Sequence, residues 1–358
     1  MPISAMSIRV SRFALLLLGI ASPTLQAAES GVILLYHHVS DSTPAITSVS
    51  PNQFIEHLEY LEENQFSVMS LGEILDAVSE KQSLPERSIA ISFDDAYESV
   101  YEVAYPQLKQ RGWPFSVFVA SEAIDQGYGG FMSWDQLREV QQYGAEIGGH
   151  SVSHTHLVRR RESEADGQWL QRVAEEIDEG NRRIEEELDQ SVRLFAYPYG
   201  ESNIEIRELL EERSIYGLAQ QSGAVGYLTD LYQVPRYPLA QGFSGMERFA
   251  LVARSKALPV TESRAGALVR VAGEVSGTLD LMLEQGAYQL NNFACYSSRG
   301  EPLDIEREGW HLRIDLPDFV AGRNKINCTA PSLSENGIYY WYSQQWLVQE
   351  VDGSWPEE

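Results

Sequence analysis

Two short stretches of this chain hold side chains that can do chemistry at close spacing. Ser92-Phe93-Asp94-Asp95-Ala96 sets two carboxylates side by side, and His150-Ser151-Val152-Ser153-His154 sets two imidazoles four residues apart. Adjacent aspartates at a strand end can divide the work, one binding a cation and the other taking a proton. The same pair also suits a helix N-cap, where Asp is favoured, and a helical pattern follows. Histidines four apart on a helical turn share one face, which is a common way to build two legs of a metal site. Each stretch alone keeps a structural reading. Together, two imidazoles and one carboxylate make a facial set that leaves coordination positions open for water and substrate. Zinc is the first expectation, and iron, cobalt or nickel suit the same donors.

Strand ends must bring these residues together. Residues 31–37, 88–95, 115–120, 146–150 and 193–197 read as short buried strands separated by amphipathic stretches. Three of the helices between them open on capping signals: Ser50 with Gln53 and Pro51, Ser70 with Glu73, and Ser133 with Gln136. Residues 162–188 read as a long helix with carboxylate–arginine pairs at helical spacing, a solvated face. Strand–helix alternation predicts an α/β fold with a parallel sheet, either open or rolled into a barrel. In a barrel, chemistry collects at the C-terminal ends of the strands. His37, Asp94, Asp95, His150 and Tyr199 all fall at or just after a predicted strand end, which argues that they meet.

A third stretch, Phe195-Ala196-Tyr197-Pro198-Tyr199-Gly200, follows the other two. In motif, order and spacing the sequence resembles the polysaccharide deacetylases with the NodB homology domain, carbohydrate esterase family 4. Residues 92–96 look like the family's T-F-D-D-G motif with Ala96 in place of Gly. Residues 150–154 look like its H-S-x-x-H motif, and residues 195–200 like the motif ending in Pro-Tyr-Gly. The likeness covers roughly residues 31–239 and implies a distorted (β/α) barrel. It also implies roles: Asp94 as the general base that activates water, Asp95, His150 and His154 as metal ligands, and the backbone N–H of Tyr199 as an oxyanion donor.

Two departures from the family pattern bear on the site. The general-acid histidine expected near the end of the domain is missing, since the only histidine after His156 is His311. Leu34-Leu35-Tyr36-His37-His38-Val39 instead resembles the permuted subgroup of poly-β-1,6-N-acetylglucosamine deacetylases, whose Tyr-His motif comes first. That likeness makes His37 the general acid; a structural histidine at a strand end is the other reading. The arginine that normally precedes the third motif's Pro-Tyr is missing too, and Ala196 stands in its place. Arg236, in Val234-Pro235-Arg236-Tyr237, could supply that charge from elsewhere or be a plain surface arginine.

The remaining histidines invite structural readings: His38 on the opposite strand face, His57 exposed on a charged helix, and His156 supporting the metal shell or at the surface. Tyr97, Tyr101 and Tyr105 fall at helical spacing and read as packing. After about residue 258 helical periodicity gives way to short runs between Gly, Pro, Asn and Ser turns, which predicts a C-terminal β-sandwich-like domain. The aromatic run of residues 339–342, with Trp346 and Trp310, fits either packing or stacking on sugar rings. The two cysteines of the chain, Cys295 and Cys328, lie in that region, and a disulfide between them is expected.

Composition limits the partners. The chain has 358 residues, 43% hydrophobic, enough for one large domain and a small one. A net charge of -25 argues against nucleic acid and against anionic lipid. Arg9 and Arg12 before an apolar run at residues 13–21 read as an export signal, with cleavage after Ala27 or Ala28. No later stretch reads as transmembrane, so an exported protein, periplasmic or secreted, is expected. The domain reading is a signal peptide at 1–28, a deacetylase domain at 29–258 and a β-rich accessory domain at 261–350. The expected function is metal-dependent de-N-acetylation of a β-linked N-acetylglucosamine polymer. O-deacetylation of xylan or another acetylated polysaccharide, and glycan binding without catalysis, are the alternatives; the oligomeric state is left open.

Overall fold

The computed structural model describes Met1, residues 27–274 and residues 277–357. The apolar run of the expected export signal lies outside the described residues. Strand β1 (Ser30–Tyr36) is apolar along nearly its whole length and buried on both faces, as a strand inside a parallel sheet must be. It pairs in parallel with β2 (Ser88–Phe93). Beyond β2 the sheet continues through β3 (Ser116–Val119), β4 (Glu146–Gly149), β5 (Leu194–Ala196) and β6 (Tyr216–Leu218), all parallel and in chain order. The far edge then curls back. Val234 bridges Leu218 of β6, and β7 (Tyr237–Pro238) pairs in parallel with β1. The result is a curled, half-barrel sheet. Each strand stops one or two residues short of the predicted end, so His37, Asp94, Asp95 and His150 stand on the loops just past it.

The helices begin where the caps require. In α1 (Pro51–Glu63) the Ser50 hydroxyl accepts from the Gln53 N–H at 3.1 Å. In α2 (Leu71–Ser79) and α3 (Trp134–Tyr143) the capping boxes are complete in both directions. The long charged helix, α4 (Asp166–Leu188), starts later than residue 162. Residues 161–164 form a turn instead, in which the Glu164 carboxylate accepts the Arg161 N–H at 2.9 Å and pairs with Arg172. The buried stripe of α4, from Trp169 through Val173, Ile177 and Ile184 to Leu188, follows helical periodicity. It lies close on β4 because Gly149 has no side chain. A Cβ there would sit 2.0 Å from the Asn181 Oδ1 on α4.

Two further sheets follow. One has the order β8 (Val260–Arg264), β9 (Thr278–Leu283), β12 (His311–Asp315), β11 (Ile305–Glu308). The other runs from Lys256–Ala257 through β14 (Tyr339–Gln349) and β13 (Gly322–Pro331) to β10 (Ala294–Ser297). Leu279, Leu281 and Ile314 from the first meet Ile326, Cys328 and Trp346 from the second in one core. Cys295 and Cys328 stand directly opposite across β10 and β13 and form a disulfide. The aromatic run of β14 splits between its faces. Tyr340, Tyr342 and Trp346 pack on the core between the sheets, while Trp341 meets the ring of Tyr237 edge-on at 5.5 Å.

His57 departs from the sequence expectation of an exposed residue: it is fully buried. It occupies the inward stripe of α1 with Phe54, Leu58 and Leu61 and stacks on Phe249 at 4.0 Å. A neutral ring satisfies both neighbours, with Nε2–H donating to the Ser244 carbonyl at 2.7 Å and Nδ1 accepting from the Tyr36 hydroxyl at 3.0 Å. Burial lowers its pKa from 6.5 to about 4, against a weaker opposing pull from that carbonyl. The unfolded chain therefore takes up this proton before the folded one does. The associated stability is complete above pH 6.5 and is lost as pH falls through about 4. It amounts to about 3 kcal/mol. Urea denaturation of wild type and His57→Gln across this range should give the variant a shallower acid slope. Equal slopes would remove His57 as a cause.

Candidate active site

Asp95, His150 and His154 converge at the C-terminal ends of β2 and β4. Their ligating atoms lie within 4.8 Å of one another, with each histidine Nε2 3.2 Å from Asp95 Oδ1. The two histidines do not share a helical turn, as their spacing suggested. Residues 151–154 form an irregular loop in which Ser151 (φ 66°) and His154 (φ 52°) are both left-handed, and the loop folds back on itself. The Ser151 hydroxyl accepts the His154 N–H at 3.0 Å and holds that turn. Asp95 (φ 72°) and Ala96 (φ 53°) are left-handed too. Glycine would bear these angles freely, whereas each non-glycine residue costs on the order of 1 kcal/mol or more.

The donor set fits a divalent cation. His150 is fully buried, and its Nδ1 is 2.7 Å from the Ala196 carbonyl. That bond places the proton on Nδ1 and leaves the lone pair on Nε2, the arrangement metal-binding histidines take. Nε2 is buried and, among the described residues, lacks a well-aligned hydrogen-bond partner. Burial raises the Asp95 pKa, but the imidazoles of His150 and His154 facing it outweigh that and hold the carboxyl well below the usual range. A deprotonated oxygen and two imidazoles are donors that suit a divalent cation and leave positions for further ligands.

Asp94 points elsewhere. Arg236 donates to both of its oxygens, at 2.7 and 2.8 Å, and neither side chain is exposed. The Arg236 Nε also donates to the Ala219 carbonyl at 2.9 Å. So the charge missing at Ala196 arrives from the chain just before β7, across the seam of the curled sheet. The Gln220 side-chain amide lies 3.4 Å from Asp94 Oδ2. Burial pushes the Asp94 pKa up, and the charge and hydrogen bonds of Arg236 do most to offset it, so the carboxylate form persists.

The other sequence candidates gather at the same end. His37 is half-buried just past β1. Burial lowers its pKa, against the attraction of Asp95 and Asp94. Tyr199 (φ 59°, ψ 6°) sits in the tight turn after β5, with its ring 4.6 Å from that of His154. His156 stacks on the other side of Tyr199 at 3.7 Å and bonds through Nδ1 to the buried Glu201 at 2.9 Å. His38 stacks on Tyr97 at 3.5 Å. Sequence reasoning assigned Tyr97 to packing. Yet burial and the Asp95 carboxylate beside it raise its pKa, and it lines a pocket of about 200 Å³ with Asp95, Tyr128, Phe131 and His154. Its position two residues after the paired aspartates was the available signal. Gln220 and Glu201 carried none, because they reach the site only through the fold.

Residues 81–216 match the family model for polysaccharide deacetylases. That span holds Asp94, Asp95, His150, His154 and Tyr199; His37 and Arg236 lie outside it. The poly-β-1,6-N-acetyl-D-glucosamine N-deacetylase of Staphylococcus aureus (strain MRSA252) is 26% identical over 196 residues, 53% of this chain and 67% of that protein. The structure of IcaB from Ammonifex degensii superposes with a TM-score of 0.56 at 25% identity, over 63% of this chain and 97% of that one. Streptococcus pyogenes deacetylase PplD, solved with acetate, shares the fold at a TM-score of 0.57 and 20% identity, over 63% and 98%.

Replacing Arg236 by Met leaves Asp94 buried without its partner. Stability should fall by about 3–5 kcal/mol, measured by chemical denaturation. Without the guanidinium, the main opposition to burial is gone and the Asp94 pKa should rise. The acid limb of any activity that needs this carboxylate should move to higher pH. An unmoved acid limb would mean that Asp94 does not set it.

Proposed function

We propose, for a chain that carries a polysaccharide deacetylase domain and so belongs among the hydrolases, that it removes N-acetyl groups from a β-linked N-acetylglucosamine polymer outside the cytoplasm. One observation carries this reading: a fully buried, bidentate Arg236–Asp94 pair stands beside a separate Asp95–His150–His154 set whose His150 Nε2 has no aligned partner. Base and ligand roles are thus held apart on adjacent residues. A bound divalent cation, zinc by its donors, supplies Lewis acidity toward the acetyl carbonyl. Asp94, kept ionised and oriented by Arg236, takes the proton from the attacking water. The N–H of Tyr199 donates to the oxygen that becomes negative. His37 gives a proton to the departing nitrogen. Because burial disfavours its imidazolium, the charged ring yields that proton readily.

The N-linked substrate rests on the S. aureus relative, whose name gives its substrate as poly-β-1,6-N-acetyl-D-glucosamine. Export rests on the basic and apolar start of the chain and on the Cys295–Cys328 disulfide. Among the described residues no helix is long and apolar enough to cross a membrane.

Acetate release tests the reading. Purified protein is offered β-1,6- and β-1,4-linked N-acetylglucosamine oligomers and acetylated xylan, with and without chelator and with zinc, cobalt or nickel restored. Release from an N-acetylated oligomer, abolished by chelator, is expected. Asp94→Asn should lower turnover by roughly 10²–10⁴-fold with metal still bound, while His154→Ala should lose the metal. Release from xylan alone would make the protein an esterase. Bound metal with no release from any substrate would end the catalytic reading.

A further inference from the structure

Strands β13 and β14 present two unlike faces. Side chains alternate along a strand, and in this antiparallel pair Arg323 lies opposite Leu347, Lys325 opposite Gln345, and Asn327 opposite Ser343. The intervening residues Ile326, Cys328 and Trp346 fill the core between the C-terminal sheets. The face with Arg323, Lys325 and Gln345 turns toward the half-barrel. At its margins, Leu347 joins Phe195, Tyr197 and Ile206 in one apolar cluster, and Trp341 packs on Tyr237. These contacts provide the adhesion. The polar side chains between them do something more specific.

Three of these polar side chains, Arg323, Lys325 and Gln345, end on carbonyls at the site. Arg323 Nη1 donates to the Tyr199 carbonyl at 3.0 Å, and its guanidinium lies 5.7 Å from the Tyr199 ring centre. Gln345 Nε2 donates to the Gly200 carbonyl at 3.0 Å. Lys325 Nζ donates to the Gln220 carbonyl at 2.8 Å, and the side chain of that same Gln220 reaches Asp94. Tyr199 and Gly200 are consecutive left-handed residues (φ 59° and φ 69°), so their carbonyls turn away from the sheet and need partners from elsewhere. The turn also presses on the Gln220 segment: a Cβ at Gly200 would lie 2.5 Å from the Gln220 Cβ. Two further bonds, Gln221 Nε2 to the Ser343 carbonyl at 3.0 Å and Ser343 Oγ to the Ser222 carbonyl, tie that segment to β14.

We infer that this face of β13 and β14 is a positioning surface for the reaction: Arg323 and Gln345 fix the Tyr199–Gly200 turn, and Lys325 fixes the segment whose Gln220 touches the base. The C-terminal sheets are then part of the catalytic unit and not a detachable glycan-binding module. The inference rests on the oxyanion role proposed for Tyr199. Its energetic logic is that of placement: an N–H must be aimed where negative charge develops, and a small misplacement costs rate while substrate still binds.

The test uses the full-length, metal-loaded protein with Arg323→Ala, Arg323→Lys and Lys325→Met. Arg323 is exposed, so its truncation should leave the melting temperature and metal content unchanged. On the oligomer that wild type deacetylates, Arg323→Ala should lower kcat roughly tenfold with KM nearly constant, and Arg323→Lys should recover much of the loss. Lys325→Met should lower kcat in the same way. Hydrogen exchange of the peptide covering residues 197–201 should quicken in Arg323→Ala. Unchanged kcat and exchange would overturn the inference, as would a rise in KM alone, which would make Arg323 a glycan contact. If wild type releases no acetate at all, the proposed function fails while the exchange measurement still decides whether Arg323 holds the turn.

Discussion

A guanidinium and a carboxylate that are both sealed from water can persist only against each other. Removing either partner leaves a charge whose desolvation nothing offsets. The Arg236–Asp94 pair therefore ties together two distant parts of the chain, the loop after β2 and the segment before β7. That tie coincides with the seam of the sheet, where Val234 bridges β6 and Tyr237 pairs with β1. Arg236 also spends its Nε on the Ala219 carbonyl and lies 5.3 Å from the ring centre of Phe118, so its position is set from several directions. Barrel curvature and the charge state of Asp94 are thus one constraint seen twice.

Around this pair, several residues proposed for chemistry, or next to them, hold a strained backbone. Asp95, Ala96, Ser151, His154 and Tyr199 all hold left-handed angles without being glycine. Such angles survive only when neighbours over-determine them. Around the histidine loop and Tyr199 the neighbours are plain: Ser151 caps the His154 turn, Glu176 accepts the N–H groups of Val152 and Ser153 at 3.1 and 3.0 Å, and Arg323 and His156 hold Tyr199. Gly149, just before His150, adds to this, since it lets α4 lie close on β4 and carry Glu176 to the loop.

The C-terminal sheets fit the same logic. Their apolar face makes an independent core with its own disulfide, and their other face is committed to the half-barrel. Lys325, half-buried and held below the usual lysine pKa mainly by desolvation, would be poorly placed on a loosely tethered module. It is understandable where its ammonium meets a carbonyl of the active-site loop.

Much of this was legible in the sequence because it is local. Unbroken apolar runs marked β1 and β2; Ser70 and Ser133 marked helix starts through boxes that close within four residues; and paired aspartates, paired histidines and a Pro-Tyr-Gly turn carried their chemistry in adjacent letters. Even Arg236 was within reach, as a charge known to be missing at Ala196. Tertiary structure alone decided the rest, because it depends on what lies across space. Residue spacing does not say that α1 turns His57 inward between Tyr36 and Ser244, or that the His150–His154 stretch loops rather than winding into a helix. Nor does it pick Arg236 over any surface arginine, or show that a strand more than a hundred residues later ends its side chains on the carbonyls of Tyr199 and Gly200. Local letters set which groups can act; long-range burial and hydrogen-bond satisfaction set which of them meet.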